Sequence, residues 1–108
     1  GEGAAVNSYL FVCSVNMLRS PTAEHVARSL GYAADSAGTD PSAVRPLTLE
    51  AIERAGRIVC MQWEHTYPVL RLAPHRSEDI DVWHIPDDYD YCAPELVAMM
   101  RSRLRAQP

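Results

Sequence analysis

Cys13-Ser14-Val15-Asn16-Met17-Leu18-Arg19-Ser20-Pro21 follows the apolar run Tyr9-Leu10-Phe11-Val12 and opens a stretch with helical spacing. Such a run reads as a central parallel strand buried on both faces, here Ser8 to Cys13. Downstream, Ala23, Val26, Ala27 and Leu30 recur at i, i+3, i+4 and i+7. That spacing predicts a helix from about Ser20 to Leu30, with Pro21 at its first position and Gly31 as its stop. The stretch is then a strand-to-helix loop with a thiol at one end and a guanidinium at the other. Its backbone N–H groups and the positive end of the helix face one small volume, which suits an oxyanion. The same field favours a thiolate, the reactive form of cysteine. Arg19 adds a permanent charge and a planar fork that grips two oxygens at once. Asn16 is the mid-loop residue that best tolerates a left-handed backbone. Ser20 is placed to cap the helix, to donate to the Cys13 sulfur, or both. The loop contains no glycine, which excludes a Gly-rich nucleotide-binding loop. Ser14, Val15, Asn16, Met17, Leu18, Arg19 and Ser20 form the candidate phosphate-binding segment, with Cys13 as nucleophile.

Further along, strands and helices alternate. A weak edge strand is expected from Tyr32 to Ala37, with Gly38 at its exit. A second helix runs from Leu47 or Thr48 to Ala55, with Thr48 as N-cap and Leu49 and Ile52 facing inward. A short strand covers Arg57 to Met61, and Cys60 in it reads as core. Trp63, Tyr67 and Leu70 share helical spacing, an aromatic stripe that reads as core, and Pro68 kinks that helix or shifts its start. His25, His65 and His75 have no visible partner and are expected at the surface. A fourth strand spans Asp79 to His84. The last helix runs from Ala93 or Pro94 to Arg105, with Leu96, Met99, Met100 and Leu104 inward. This alternation predicts an α/β fold with a parallel sheet and helices on both faces. Ligands in such sheets sit beyond the carboxyl ends of the strands, where Cys13 and Asp87 both fall.

The chain has 108 residues, 47% hydrophobic and 22% charged, which suits one domain over residues 8–108. Residues 1–7 read as a disordered or tag-derived lead-in. The net charge of −4 gives no electrostatic support to a nucleic-acid or anionic-membrane partner. An acidic chain that binds phosphate needs a local positive site, which the Cys13–Arg19 loop supplies. Three cysteines without a Cys-x-x-Cys argue for a reducing compartment, taken as cytoplasmic, and against a disulfide framework or a zinc site. No metal and no cofactor is expected, and the chain is expected to be a monomer or weak dimer.

Val12 to Glu24 resembles the signature of the low-molecular-weight protein tyrosine phosphatases, in which the loop reads Cys-x-x-Asn-x-x-Arg-Ser-Pro. Asp35-Ser36-Ala37-Gly38-Thr39 and Ile85-Pro86-Asp87-Asp88-Tyr89 carry the resemblance further, toward a compact bacterial subset of the family. It implies a three-layer α/β/α fold with strand order 2-1-3-4, and a Ser36–Thr39 segment packed against the nucleophile loop. It also implies hydrolysis of phosphotyrosine-like esters through a phosphocysteine, with a phosphorylated protein or small phosphomonoester as substrate. The family's Asp-Pro-Tyr acid aligns with Asp87, and Asp88, which replaces the proline, is the alternative acid. A neighbouring carboxylate favours a proton on the first. Leu18 stands where many members carry a second loop cysteine, and Asp40 to Pro46 lacks the family's aromatic wall. Two other functions use the same scaffold: a non-catalytic phospho-ligand binding module, and an arsenate reductase with Cys60 or Cys92 as resolving thiol.

Overall fold

A computed structural model describes residues 7–107; the expected lead-in lies, apart from Asn7, outside the described residues. The elements in chain order are β1 (Ser8–Cys13), α1 (Arg19–Ser29), β2 (Ala33–Gly38), α2 (Leu49–Arg54), β3 (Arg57–Cys60), α3 (Thr66–Leu72), β4 (Ile80–Val82) and α4 (Pro94–Arg105). Short 3-10 segments at Trp63–His65 and Pro74–Asp79 flank α3. The four strands form one all-parallel sheet in the order β2-β1-β3-β4, as the family resemblance implied.

The period-2 alternation of β1 and β3 divides the core. Tyr9, Phe11, Val59 and Met61 join Ala23, Val26 and Ala27 of α1, and Leu96, Met100 and Leu104 of α4, on one face. Leu10, Val12, Ile58 and Cys60 meet Ile52 of α2 and Val69 of α3 on the other. Trp83, just past β4, packs against Phe11 with ring centroids 5.5 Å apart. Both faces of β1 are therefore covered, which is why its sequence runs apolar without a break.

Several boundaries shift, each for a local reason. Helix α1 begins at Arg19, so Pro21 is its third residue, a position whose N–H has no intrahelical partner anyway. The chain leaves α1 at Gly31, whose φ of +93° suits glycine. Thr48 does cap α2, accepting from the Ala51 N–H at 3.1 Å, but Leu49 is exposed and Ile52 alone on that helix is buried. Pro68 falls early in α3, which starts only after the 3-10 turn. That turn rotates the helix face, so Trp63 and Tyr67 are exposed and pack on each other, not in the core. Strand β4 stops at Val82, because His84 has φ +55°.

Gly38 ends β2 beside Cys13, its partner in the register. A Cβ there would lie 2.6 Å from the Ser14 carbonyl oxygen and 2.5 Å from the Ala43 Cβ. Neither backbone can give way without moving the loop. Gly38→Ala is expected to lower the urea unfolding free energy by about 1–3 kcal/mol, the usual cost of overpacking. An unchanged urea midpoint would show that the loop has slack that the close contact conceals.

Candidate active site

Four carboxyl ends of strands converge on one volume. β1 delivers Cys13, β2 delivers Gly38 and Thr39, β3 leads through Met61 and Gln62 to His65, and β4 leads through Ile85 to Asp87. Backbone bonds tie these ends together: Met61 N–H to Val12 O, Ile85 N–H to Met61 O, and Thr39 N–H to Cys13 O, each 2.9 Å. The Asp40 N–H donates to Ser14 O, and the Val44 N–H to Val15 O. Thus the Ser36–Thr39 strand exit and the loop after it brace the Cys13 loop.

The loop itself turns at Asn16, whose φ is +60°. A non-glycine residue holds that conformation at a cost of order 1 kcal/mol or more, so its surroundings must fix it. They do. The Asn16 amide donates to Ser20 Oγ and Ser36 Oγ, both at 2.9 Å, and its oxygen accepts from Arg45 Nε at 3.4 Å. Ser36 donates onward to the buried Glu24 carboxylate, which also pairs with Arg45 at 2.6 Å and Arg28 at 2.9 Å. Two arginines offset the cost of burying one carboxylate. This network reaches the sulfur, because Ser20 Oγ lies 2.9 Å from Cys13 Sγ. The single Ser20 proton has two acceptors in reach, the Ala37 carbonyl at 3.4 Å and, when ionised, the Cys13 sulfur at 2.9 Å, which is the closer and the charged one. Ser20 therefore serves the sulfur and makes no N-cap; Leu18 holds the cap position without a side-chain bond.

Arg19 is almost wholly buried, and its Nη1 donates to the Ile85 carbonyl at 3.0 Å. Its Nε lies 3.5 Å from Asp87 Oδ1. The guanidinium thus holds the acidic loop against the Cys13 loop. Cys13, Ser14, Val15, Met17, Leu18, Arg19 and Asp87 line a cavity of about 130 Å³. That exceeds by roughly tenfold the space that one water needs. Asp87 lines this cavity and Asp88, also exposed, does not. Asn16 and Ser20 lie behind the loop and act on its shape.

Glu24, Arg45 and His65 are the site residues that single-residue reading passed over. Glu24 sits inside the signature, but its buried role depends on Arg45, 21 positions away. His65 is buried, not at the surface. Its Nε2 lies 3.1 Å from Ser14 Oγ, and its Nδ1 accepts from the Gln62 N–H at 3.0 Å. Burial, then the Arg19 charge, pushes its pKa below the usual histidine range, against smaller opposing effects of Glu64 and Asp87. The neutral ring is the folded form, while the unfolded chain takes up a proton near pH ~6.5. Stability is therefore expected to fall as pH drops below ~6.5, continuing until the folded ring itself protonates. Urea midpoints across that range should show the slope, and His65→Gln should remove this part of it.

His75 pairs with Glu53 at the surface, and His25 is exposed. Cys60 is fully buried in the sheet, and burial pushes its thiol up to about 12. Cys92 is half-buried at φ +57°, with its N–H donated to Thr22 Oγ1. All three cysteines are free thiols. Among the described residues, no cluster of three or more His, Cys, Asp or Glu is placed to hold a metal. No helix among them is long and apolar enough to cross a membrane.

No protein-family model matches the chain, and no curated protein matches it in sequence. Solved structures do match in fold. Wzb of Vibrio vulnificus, in complex with benzylphosphonate, is 21% identical with a TM-score of 0.74, over 93% of this chain and 95% of that one. A low-molecular-weight protein tyrosine phosphatase from T. tengcongensis is 17% identical, TM-score 0.67, over 91% and 95%. The YwlE arginine phosphatase of Geobacillus stearothermophilus is 21% identical, TM-score 0.66, over 91% and 85%. The chain has the fold of the low-molecular-weight protein tyrosine phosphatases across nearly its whole length.

Proposed function

We propose that this chain is a cysteine-dependent phosphomonoesterase that acts on phosphotyrosine-like aryl esters. One observation carries the reading: a single cavity is lined by Cys13, Arg19 and Asp87, together with Ser14, Val15, Met17 and Leu18 of the loop between them. The loop N–H groups and Arg19 bind the non-bridging phosphate oxygens. Cys13 thiolate attacks phosphorus; the S–P bond forms as the P–O ester bond breaks, and the leaving oxygen takes the Asp87 proton. Asp87, now ionised, takes a proton from water, whose oxygen attacks phosphorus. The S–P bond then breaks, releasing phosphate and returning the thiolate, which Ser20 stabilises through its hydroxyl proton.

The rim supports an aryl group over a guanidinium. Val15 and Met17 line the cavity and expose apolar surface, and Asp87 is the one carboxylate lining it among the described residues. A substrate guanidinium would leave that acid engaged in binding. An arsenate reductase would need a second thiol able to reach Cys13 as a thiolate; Cys60 is locked in the sheet core, and Cys92, half-buried beside Thr22, is not among the residues lining the Cys13 cavity.

Purified protein is expected to hydrolyse p-nitrophenyl phosphate and free phosphotyrosine, and to release phosphate from phosphoarginine far more slowly. Phosphate binding without turnover between about pH 5 and 8 would replace this reading with that of a non-catalytic phospho-ligand binder.

A further inference from the structure

The Ser14–His65 hydrogen bond takes no part in the steps above. His65 closes the 3-10 turn after β3, and its ring is held from both sides. Because the Gln62 N–H donates to Nδ1, that nitrogen carries a lone pair. In a neutral ring the proton then sits on Nε2, which points at Ser14 Oγ 3.1 Å away. Ser14 is therefore the acceptor in this bond. Its own hydroxyl proton stays free to donate elsewhere, and Ser14 lines the same cavity as Cys13 and Asp87. Burial and the Arg19 charge both keep the ring neutral, which preserves this direction of donation.

We propose that the Ser14 side chain is a donor to the oxyanion held in the cavity, and that His65 is the residue that positions it. This rests on reading the cavity as an oxyanion site. The backbone N–H groups of the loop are available in any sequence with this shape. A side-chain hydroxyl aimed by a buried imidazole, itself contributed by a strand end 51 positions away, depends on the residues at positions 14 and 65. The pair also links the β3 exit to the loop, so the donor is oriented before the anion arrives. A pre-oriented donor to a charged oxygen is worth about tenfold in affinity.

Calorimetric titration of the whole chain with inorganic phosphate tests this without requiring turnover. Ser14→Ala is expected to weaken binding about tenfold. His65→Asn keeps an acceptor for the Gln62 N–H but is too short to reach Ser14, and should lose about as much. His65→Gln keeps a donor at the Nε2 position and should stay within about threefold of the parent. The double variant Ser14→Ala/His65→Asn should bind no worse than Ser14→Ala alone, since contacts that act as one unit do not add. A purely structural role for His65, as cap of its turn, predicts the reverse order, with Asn spared and Gln damaged. That order would overturn the proposal, as would parental affinity in Ser14→Ala, losses that multiply in the double variant, or no phosphate binding by the parent. If p-nitrophenyl phosphate is not hydrolysed but these affinities follow the expected pattern, the Ser14–His65 assignment stands and only the hydrolytic reading fails.

Discussion

Cys13→Ser is expected to reduce p-nitrophenyl phosphate turnover by on the order of 10⁴-fold or more, while phosphate affinity stays within a few-fold. The two halves of this result have different origins. Turnover depends on the charge state and nucleophilicity of the atom at the end of β1. A serine hydroxyl stays protonated near neutrality, and the side chain in hydrogen-bond contact with that position is another hydroxyl, Ser20 Oγ, not a base. Binding depends on groups that the substitution leaves alone, namely the loop N–H groups, Arg19 and Ser14. The exchange is nearly isosteric, and the new hydroxyl can still bond to Ser20. The fold should therefore hold, and a thermal melt should show it. Equal turnover by the two proteins would remove Cys13 as nucleophile and with it the phosphocysteine route.

How much of this was legible in the residues depends on how far apart the partners lie. The β1–loop–α1 unit is local: an apolar run, an asparagine for the left-handed turn and an amphipathic spacing all act within about 20 positions, and they place Cys13 and Arg19 together. Connectivity then puts Asp87 at the same end of the sheet, because both follow parallel strands. What could not be read is what crosses between elements. The His65 Nε2 lacks a partner until β1 and β3 pair, which brings Ser14 to it. Arg45 looks like a loop charge until β2 folds back and shows it Glu24 and Asn16. Arg76 likewise closes the end of α2 by donating to the Ile52 and Ala55 carbonyls, a role that its own segment does not hint at. Spacing misled at Trp63 and Tyr67 for a different reason. The interval is helical, but the two residues straddle a 3-10 turn and a helix, so the stripe faces solvent.

Asp87→Asn is expected to slow turnover by about 10²–10⁴-fold, and Asp88→Asn by no more than about twofold. The adjacent carboxylates differ in placement alone. Arg19 donates to the Ile85 carbonyl at 3.0 Å and thereby anchors the chain two residues before Asp87, which its Nε also faces at 3.5 Å. Asp88 points from the same turn but does not reach the cavity. The Arg19 contact holds the Asp87 carboxyl on the cavity lining. One group can then serve as acid in the first step and base in the second. The leaving group separates these roles. With a poor leaving group, such as an alkyl or phenyl ester, the first step needs the proton and Asp87→Asn should show its full loss. With p-nitrophenolate, already a weak base, the loss should shrink toward that of the water step. An equal loss on all esters would mean that Asp87 works only through its hold on Arg19, and that the proton reaches the leaving oxygen from elsewhere.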